Sequence, residues 1–309
     1  MPNTKVSALV DEIDIPNSKH QPILLLGARS LVSTYLVPML LEHNFDVTCI
    51  SRAAKEPTDD YAKGATWKIQ DISADTAIKI TEGVIVISLL PLWLLPPAIS
   101  KCEGASQVIA FSSTSALTKI DSDDEAERQL AMKLREAEQA LKDKCSELGM
   151  RWTILRPTLI YGGGLDQNIS VIAKLMRRFR VFPLPGRGKG LRQPVHGGDL
   201  ATAALAAINN PAAFDTTFNL PGGETLTYAE MVKRVAGKID GGVLVLRLPE
   251  GLLKICFAIA KRIGFSKFGA AMIARTNQDL VFDTAAARQY LSYKPRDFDP
   301  EIYHKTIKS

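Results

Sequence analysis

What this chain lacks narrows its reading more than what it holds in plenty. Its four cysteines, Cys49, Cys102, Cys145 and Cys256, stand far apart with no CxxC pair, and it has only four histidines. That pattern argues against a structural zinc site, so no metal is expected, and it suits a reducing, cytoplasmic compartment. No run reaches the roughly 20 apolar residues of a membrane span. The most apolar stretch, VIVISLLPLWLLPPAI over 84–99, is 16 residues long and carries three prolines. A net charge of +5 over 309 residues is too mild, and aromatics too sparse among the basic residues, to suggest nucleic acid. Residues 1–21 are polar and mixed in charge, which leaves no secretory signal and reads as a flexible arm.

What is present alternates. Ile23-Leu24-Leu25-Leu26 predicts a strand, followed by a helix from about Ser30 to His43 that Pro38 should bend, at up to ~3 kcal/mol. Further strands are expected at 45–51, 66–71, 84–90, 107–113 and 151–157. A short helix should begin near Pro91, and a long charged helix should run from about Asp123 to Leu148. Continuous apolar strands separated by helices predict a doubly wound parallel sheet of the α/β class, with both faces covered. The second half is less regular. Residues 216–237 read as a strand, a glycine-containing turn and a helix starting at Thr225 or Thr227, with Glu230 at capping-box spacing from the latter. The expected division is an arm over 1–21 and a dinucleotide-binding domain over 22–162, to which 194–222 returns. Segments 163–193 and 223–309 would form a smaller C-terminal substrate lobe. Within that lobe LLKICFAIAKRIGF (252–265) reads as a packing helix, with a membrane-surface contact as the alternative, because Lys254, Lys261 and Arg262 ride on an apolar body.

The turn after the first strand carries the first functional hint. Gly27 is placed to make the tight turn of a dinucleotide-binding βαβ unit, and Arg29 in that turn adds a positive charge. Ser30 and Ser33 stand where two further glycines are usual, which weakens the signal without excluding phosphate binding. After the second strand, sites for NAD usually hold an acid on the ribose; here Ser51-Arg52 follows, and the first acid is Glu56. A guanidinium at Arg52 suits a 2′-phosphate, so NADP(H) is expected over NAD(H). An ordinary solvated loop arginine is the alternative.

With the Gly27 turn, Asp71, FSSTSAL (111–117), LRPTLIYGGG (155–164) and RQPVHGGDLATAAL (192–205) in order, the chain resembles the extended and atypical short-chain dehydrogenase/reductases of the NAD-dependent epimerase/dehydratase group over about residues 22–300. The resemblance implies a Rossmann domain with Gly27, Ala28, Arg29, Ser30 and Leu31 at the pyrophosphate, Arg52 at the adenosine ribose, Asp71 and Ile72 at the adenine, and Leu89, Leu90 and Pro91 at the far ribose. It places Ser112, Pro157 and Thr158 near the nicotinamide, and Thr114 at the catalytic Ser/Thr position. Arg192, with Asn168 and Arg187, would hold an anionic substrate such as a nucleotide-sugar, and a homodimer is compatible with it. His196 would end a strand and Asp199 would cap the next helix.

One departure is large. The resemblance calls for a Tyr four residues before a Lys, whose charge lowers the phenol's pKa for proton transfer. Lys133 is preceded by Gln129; aligned through Glu138 instead, the pair becomes Leu130 and Leu134, and no tyrosine lies between Tyr61 and Tyr161. Thr114, Lys133 and Tyr161 are the remaining catalytic candidates, each with a plain structural alternative. The basic run Arg177, Arg178, Arg180, Arg187, Lys189 and Arg192 would attract an anion if it lined a cleft. Two functions follow as expectations. One is an epimerase/dehydratase-like oxidoreductase with a degenerate site; the other is a non-catalytic NADP(H)-binding structural or sensor protein, similar to the accessory subunit of respiratory complex I.

Overall fold

The computed structural model describes residues 20–52, 63–72, 78, 80–166, 168–249 and 276–301. The arm over 1–19, the 252–265 segment, Cys256 and most of the links flanking 63–72 lie outside the described residues.

The strands are β1 (Pro22–Leu26), β2 (Asp46–Ser51), β3 (Thr66–Ile69), β4 (Ile85–Ser88), β5 (Gln107–Phe111), β6 (Arg151–Pro157), β7 (Ile160–Tyr161), β8 (Val181–Pro185), β9 (Leu191–Arg192), β10 (Val195–His196), β11 (Thr216–Leu220), β12 (Leu226–Thr227) and β13 (Leu244–Leu248). The helices are α1 (Ser33–Glu42), α2 (Leu95–Ile99), α3 (Ser115–Thr118), α4 (Glu125–Glu147), α5 (Ile169–Phe179), α6 (Gly197–Ala206), α7 (Tyr228–Gly237) and α8 (Ala285–Leu291). Seven strands form one parallel sheet in the order β11-β6-β5-β4-β1-β2-β3. The direction of winding reverses at β1, with β4 on one side and β2 on the other. In such sheets ligands bind beyond the carboxyl ends at that reversal.

Burial explains the architecture. The centre strands are apolar on both faces because helices cover both. Leu25, Ile87, Ile109 and Leu155 pack with Leu36 and Leu40 of α1 and Leu200 and Ala204 of α6. Leu24, Leu26, Val86, Val108 and Ala110 pack on the other side with α2 and with Leu134, Ala137 and Leu141 of α4. A third cluster gathers Tyr161, Met176 of α5, Phe182 and Leu184 of β8, Met231 and Val235 of α7, and Phe298. Pro38 does sit inside α1.

Two start signals resolve. Thr227, not Thr225, caps α7: its hydroxyl accepts from the Glu230 amide at 3.1 Å while the Glu230 carboxylate accepts from the Thr227 amide at 2.7 Å. Asp199 is not the cap of α6. His196 is, with Nδ1 accepting from the Gly198 amide at 3.0 Å. Asp199 lies one residue beyond Gly198, inside the helix, and instead accepts from the Arg296 amide at 3.0 Å and its Nε at 2.8 Å.

Candidate functional site

The parallel sheet brings most of the expected binding residues to one edge. Gly27 follows β1, Arg52 follows β2, Asp71 and Ile72 follow β3, Leu89 to Pro91 follow β4, and Ser112 to Thr114 follow β5. Pro157 and Thr158 end β6. All are at carboxyl ends, so they share the edge where the winding reverses. Hydrogen bonds knit the edge together: the Leu89 amide donates to Leu26 O at 2.9 Å, Ser112 N to Leu155 O at 2.8 Å and Thr114 N to Pro157 O at 3.1 Å.

Gly27 is required by two constraints at once. Its φ is +76°, and a Cβ there would stand 3.0 Å from the Leu89 carbonyl carbon and 3.1 Å from the Leu90 nitrogen. The absent side chain lets the β1 turn lie directly on the end of β4. The two serines in place of later glycines do not project as free groups. Ser33, fully buried, donates its hydroxyl to Ala28 O at 2.7 Å and lies 2.6 Å from Ser30 O. Ser30 Oγ accepts from the Ser33 amide at 3.2 Å. The serines rebuild from side chains a turn that glycines elsewhere close by backbone alone. They also occupy one amide at the start of α1 that a phosphate would otherwise use.

Arg29 and Arg52 are exposed at this edge, as are Asp71 and Pro91. Ala28 is fully buried beneath the turn, Ile72 is buried, and Leu31 is half-buried. Above Leu31 lies the glycine loop that follows β7: a Cβ on Gly163 would come within 3.2 Å of the Leu31 side chain.

The register of α4 is set by a buried ion pair that the sequence did not reveal. Glu138, 3% exposed, accepts from Ser112 Oγ at 2.5 Å and from Arg156 Nε at 2.8 Å, and Arg156 Nη2 closes the second oxygen. Glu138 therefore faces the ends of β5 and β6, where Thr114 also sits. Residues four and eight positions earlier share its face, and they are Leu134, which is buried, and Leu130, which packs against the same cluster. Gln129 and Lys133 lie on a more exposed strip. The Gln129 amide donates to Glu125 at 2.9 Å, and the Lys133 ammonium stands 4.2 Å from the centre of the Trp93 ring. This contact turns Leu130 and Leu134 toward the core and leaves Gln129 and Lys133 on the exposed strip.

Thr114 is buried to 7% exposure, and its hydroxyl donates to Pro157 O at 3.2 Å. Tyr161 is packed into the third core cluster. It is fully buried, its hydroxyl lies 3.3 Å from Asp297 O and accepts from the Asp299 amide at 3.4 Å, and its ring meets His196 and Phe298 edge-on. Burial pushes its pKa up to about 12, the wrong direction for a neutral-pH acid–base.

The basic run is divided. Arg192 is buried, donates to Leu191 O and Gln278 O, each at 2.7 Å, and lies 5.8 Å from the Tyr228 ring. Arg180 turns onto the Asp240 and Gly242 carbonyls. Arg187, Lys189 and Asn168 are exposed. One cleft lined by the whole run is therefore not what the chain builds. Among the described residues no group of three His, Cys, Asp or Glu is placed to hold a metal ion, and no helix is long and apolar enough to cross a membrane.

Known proteins agree with this geometry at the level of fold. The model of the NAD dependent epimerase/dehydratase family matches residues 98–220. A UDP-glucose 4-epimerase of Vibrio cholerae is 25% identical over 174 residues, 56% of this chain and 51% of that protein. An uncharacterized Sinorhizobium fredii protein, y4nG, is 26% identical over 165 residues, 53% of this chain and 41% of its own. The chain thus spans about half the length of the curated relatives it matches. Among solved structures, the Thermotoga maritima UDP-glucose 4-epimerase with UDP-glucose superposes with TM-score 0.61 at 16% identity, over 89% of this chain and 94% of that one. The Bacillus cereus UDP-glucuronic acid 4-epimerase in complex with NAD does so with TM-score 0.67 at 14% identity, over 89% and 94%. Residues 98–220 therefore match the NAD dependent epimerase/dehydratase family model, and the chain has the Rossmann-type fold of the solved epimerases.

Proposed function

We propose that this chain is an epimerase/dehydratase-like oxidoreductase with a degenerate acid–base apparatus. It would bind NADP(H) in preference to NAD(H) at the carboxyl edge of the sheet and take a nucleotide-sugar or similar anionic substrate beside it. The observation that carries the reading is the convergence of Gly27, Arg52, Leu89 and Thr114 on the edge where the winding reverses. The turn supports the fit, because Gly27 closes it directly against the end of β4.

In this reading the Gly27–Leu31 turn takes the pyrophosphate, Arg52 grips the 2′-phosphate, and Asp71 and Ile72 border the adenine. Leu89 to Pro91, Ser112, Pro157 and Thr158 border the nicotinamide half. The nicotinamide, when bound, supplies or accepts a hydride. Thr114 is the hydroxyl that meets the reacting oxygen, and Arg192, with Asn168 and Arg187 nearer solvent, holds the substrate's phosphate. The smaller lobe of 163–193 and 223–309 closes the substrate side. Lys133 and Tyr161 are left out of the chemistry, Lys133 for its place on Trp93 and Tyr161 for its sequestered hydroxyl.

A second reading, a non-catalytic NADP(H)-binding protein, is favoured by the leucines. With Leu130 and Leu134 on the face fixed by Glu138, those two positions offer no proton donor. Calorimetric titration with NADPH and NADH, then turnover of nucleotide-sugars, separates the readings. NADPH is expected to bind tighter, and Arg52→Ala to remove about 1.5–3 kcal/mol, roughly tenfold to a hundredfold. Equal affinities with no loss in the variant would dismiss Arg52 as the discriminator. Tight NADPH binding without measurable turnover would leave only the second reading.

A further inference from the structure

The hydroxyl of Ser112 has one hydrogen to give, and the fold has already placed it. Beside the ends of β5 and β6, Arg156 closes on Glu138, its Nε donating to Oε1 at 2.8 Å and its Nη2 to Oε2. A carboxylate so engaged has no proton to offer. The 2.5 Å contact between Ser112 Oγ and Glu138 Oε1 therefore carries the serine's own hydrogen. What Ser112 keeps is its lone pairs, on a residue that is half-buried and still open on one side. A hydroxyl that donates to a charged group is polarised and becomes the stronger acceptor.

Neighbouring donors are committed as well. The Thr114 amide and hydroxyl both go to Pro157 O, at 3.1 and 3.2 Å. The Thr158 amide donates to Leu220 O at 3.3 Å and its hydroxyl to Gln193 O. The Leu89 amide donates to Leu26 O at 2.9 Å, and Pro91 and Pro157 have no N–H at all. At the ends of β4, β5 and β6 these residues are thus left to accept. A dinucleotide lying across the reversal at β1 puts one half over β2 and β3 and the other over β4, β5 and β6. With Arg52 after β2 on the adenosine side, the half that meets Ser112 is the nicotinamide, and the donor on its ring is the carboxamide N–H.

We propose that Ser112, held as a pure hydrogen-bond acceptor by Glu138 and Arg156, takes the N–H of the nicotinamide carboxamide and makes this edge selective against ring substituents that cannot donate. The proposal rests on the dinucleotide reading above and adds a discrimination that reading does not require. Glu138 and Arg156 are positioning residues, which act through the direction of the serine's hydrogen. The test is calorimetric titration of the full chain with NADP and with its acetylpyridine analogue, which keeps the ring carbonyl and carries a methyl in place of the amide nitrogen. A neutral hydrogen bond is worth on the order of twofold to twelvefold in affinity. NADP is expected to bind tighter by that factor, toward its upper end because the acceptor is polarised. Ser112→Ala should weaken NADP alone and bring the two affinities together. Glu138→Leu with Arg156→Met frees the serine hydrogen to serve the analogue's carbonyl, so the preference should shrink there too. Glu138→Gln, whose amide oxygen still accepts from Ser112, should keep it. Each comparison is made on one protein, so a general loss of folding lowers both affinities and leaves their ratio alone. Equal affinities in the parent, or a preference that survives Ser112→Ala, overturn the proposal while leaving NADP binding intact. Absence of binding by either ligand removes the dinucleotide reading and the proposal together.

Discussion

The ion pair of Glu138 and Arg156 is the contact whose removal should say most about how this site is held. Side-chain exposure is 4% for Glu138 and 18% for Arg156. Stripping one partner from a buried pair costs about 3–5 kcal/mol, whereas replacing both by apolar side chains is often close to neutral. In Arg156→Met the carboxylate keeps only the Ser112 hydroxyl, and such a charge-assisted bond recovers about 1.5–3 kcal/mol. The net loss should therefore sit near the lower end, about 3 kcal/mol. In Glu138→Gln the amide still accepts from Ser112 and the guanidinium reaches some water, so about 1–2 kcal/mol is expected on the same reasoning. In the double variant Glu138→Leu with Arg156→Met, the remaining cost is the unpaired, half-buried Ser112 hydroxyl, about 1 kcal/mol.

Urea denaturation of the parent, Arg156→Met, Glu138→Leu and the double variant, followed by tryptophan fluorescence, closes the cycle. A double variant more stable than Arg156→Met alone, with a coupling energy of about 2 kcal/mol or more, is the expected result. Additive losses, or single variants within about 0.5 kcal/mol of the parent, would refute the claim that this pair sets the register of α4. Because the pair bridges α4 to the strands that carry Thr114, Arg156→Met should also weaken ligand binding at the edge by more than its stability loss explains.

Three further outcomes are expected. Gly27→Ala forces a side chain into left-handed backbone, about 1–2 kcal/mol, against Leu89 backbone that cannot rotate away; a loss of at least that size, with dinucleotide affinity falling alongside, should appear in denaturation and titration, and an undisturbed variant would place the turn elsewhere. Burial pushes the thiols of Cys49 and Cys145 up to about 12 and that of Cys102 to about 11, from 9.0. Between pH 9 and those values the unfolded chain releases protons the folded chain retains, so stability falls as pH rises, by up to about 1.4 kcal/mol per pH unit for each thiol; replacing all three by Ala should flatten urea midpoints over that window, and an unchanged slope would count against the thiols. Finally, Leu130→Tyr with Leu134→Lys should raise any weak oxidoreductase rate toward the 10²- to 10⁴-fold that a positioned acid–base supplies, while Gln129→Tyr should not; a gain from Gln129→Tyr alone would reverse the assignment of the α4 face.

Local patterns carried much of the fold into the sequence. The apolar runs at 23–26, 84–90 and 107–113 predict strands because a two-sided parallel sheet needs no alternation, and each run contains one. The capping box at Thr227 and Glu230 was legible because both partners lie within one turn of chain. Asp199 misled for the opposite reason. An acid near a helix start is a good cap by local rules, but Arg296, nearly a hundred residues on, claims its carboxylate, and His196 does the capping.

At the carboxyl edge of the sheet, what was legible was place along the strands. The residues expected at the carboxyl edge do share it, since strand direction alone assembles them. Whether a position carries a functional group depends on which helix face turns inward, and periodicity cannot decide that for α4. Its charged and apolar residues allow a face through Lys133 or one through Leu134, one residue apart and about 100° around the axis. The choice is made by a tertiary contact, Glu138 with Ser112 and Arg156, joining residues up to 26 positions apart. Once it is made, the leucines extend the core along the inward face of the helix and leave Lys133 against Trp93. A helix so arranged spends its Glu138 face on the core, with Leu134 buried and Leu130 packed against the same cluster.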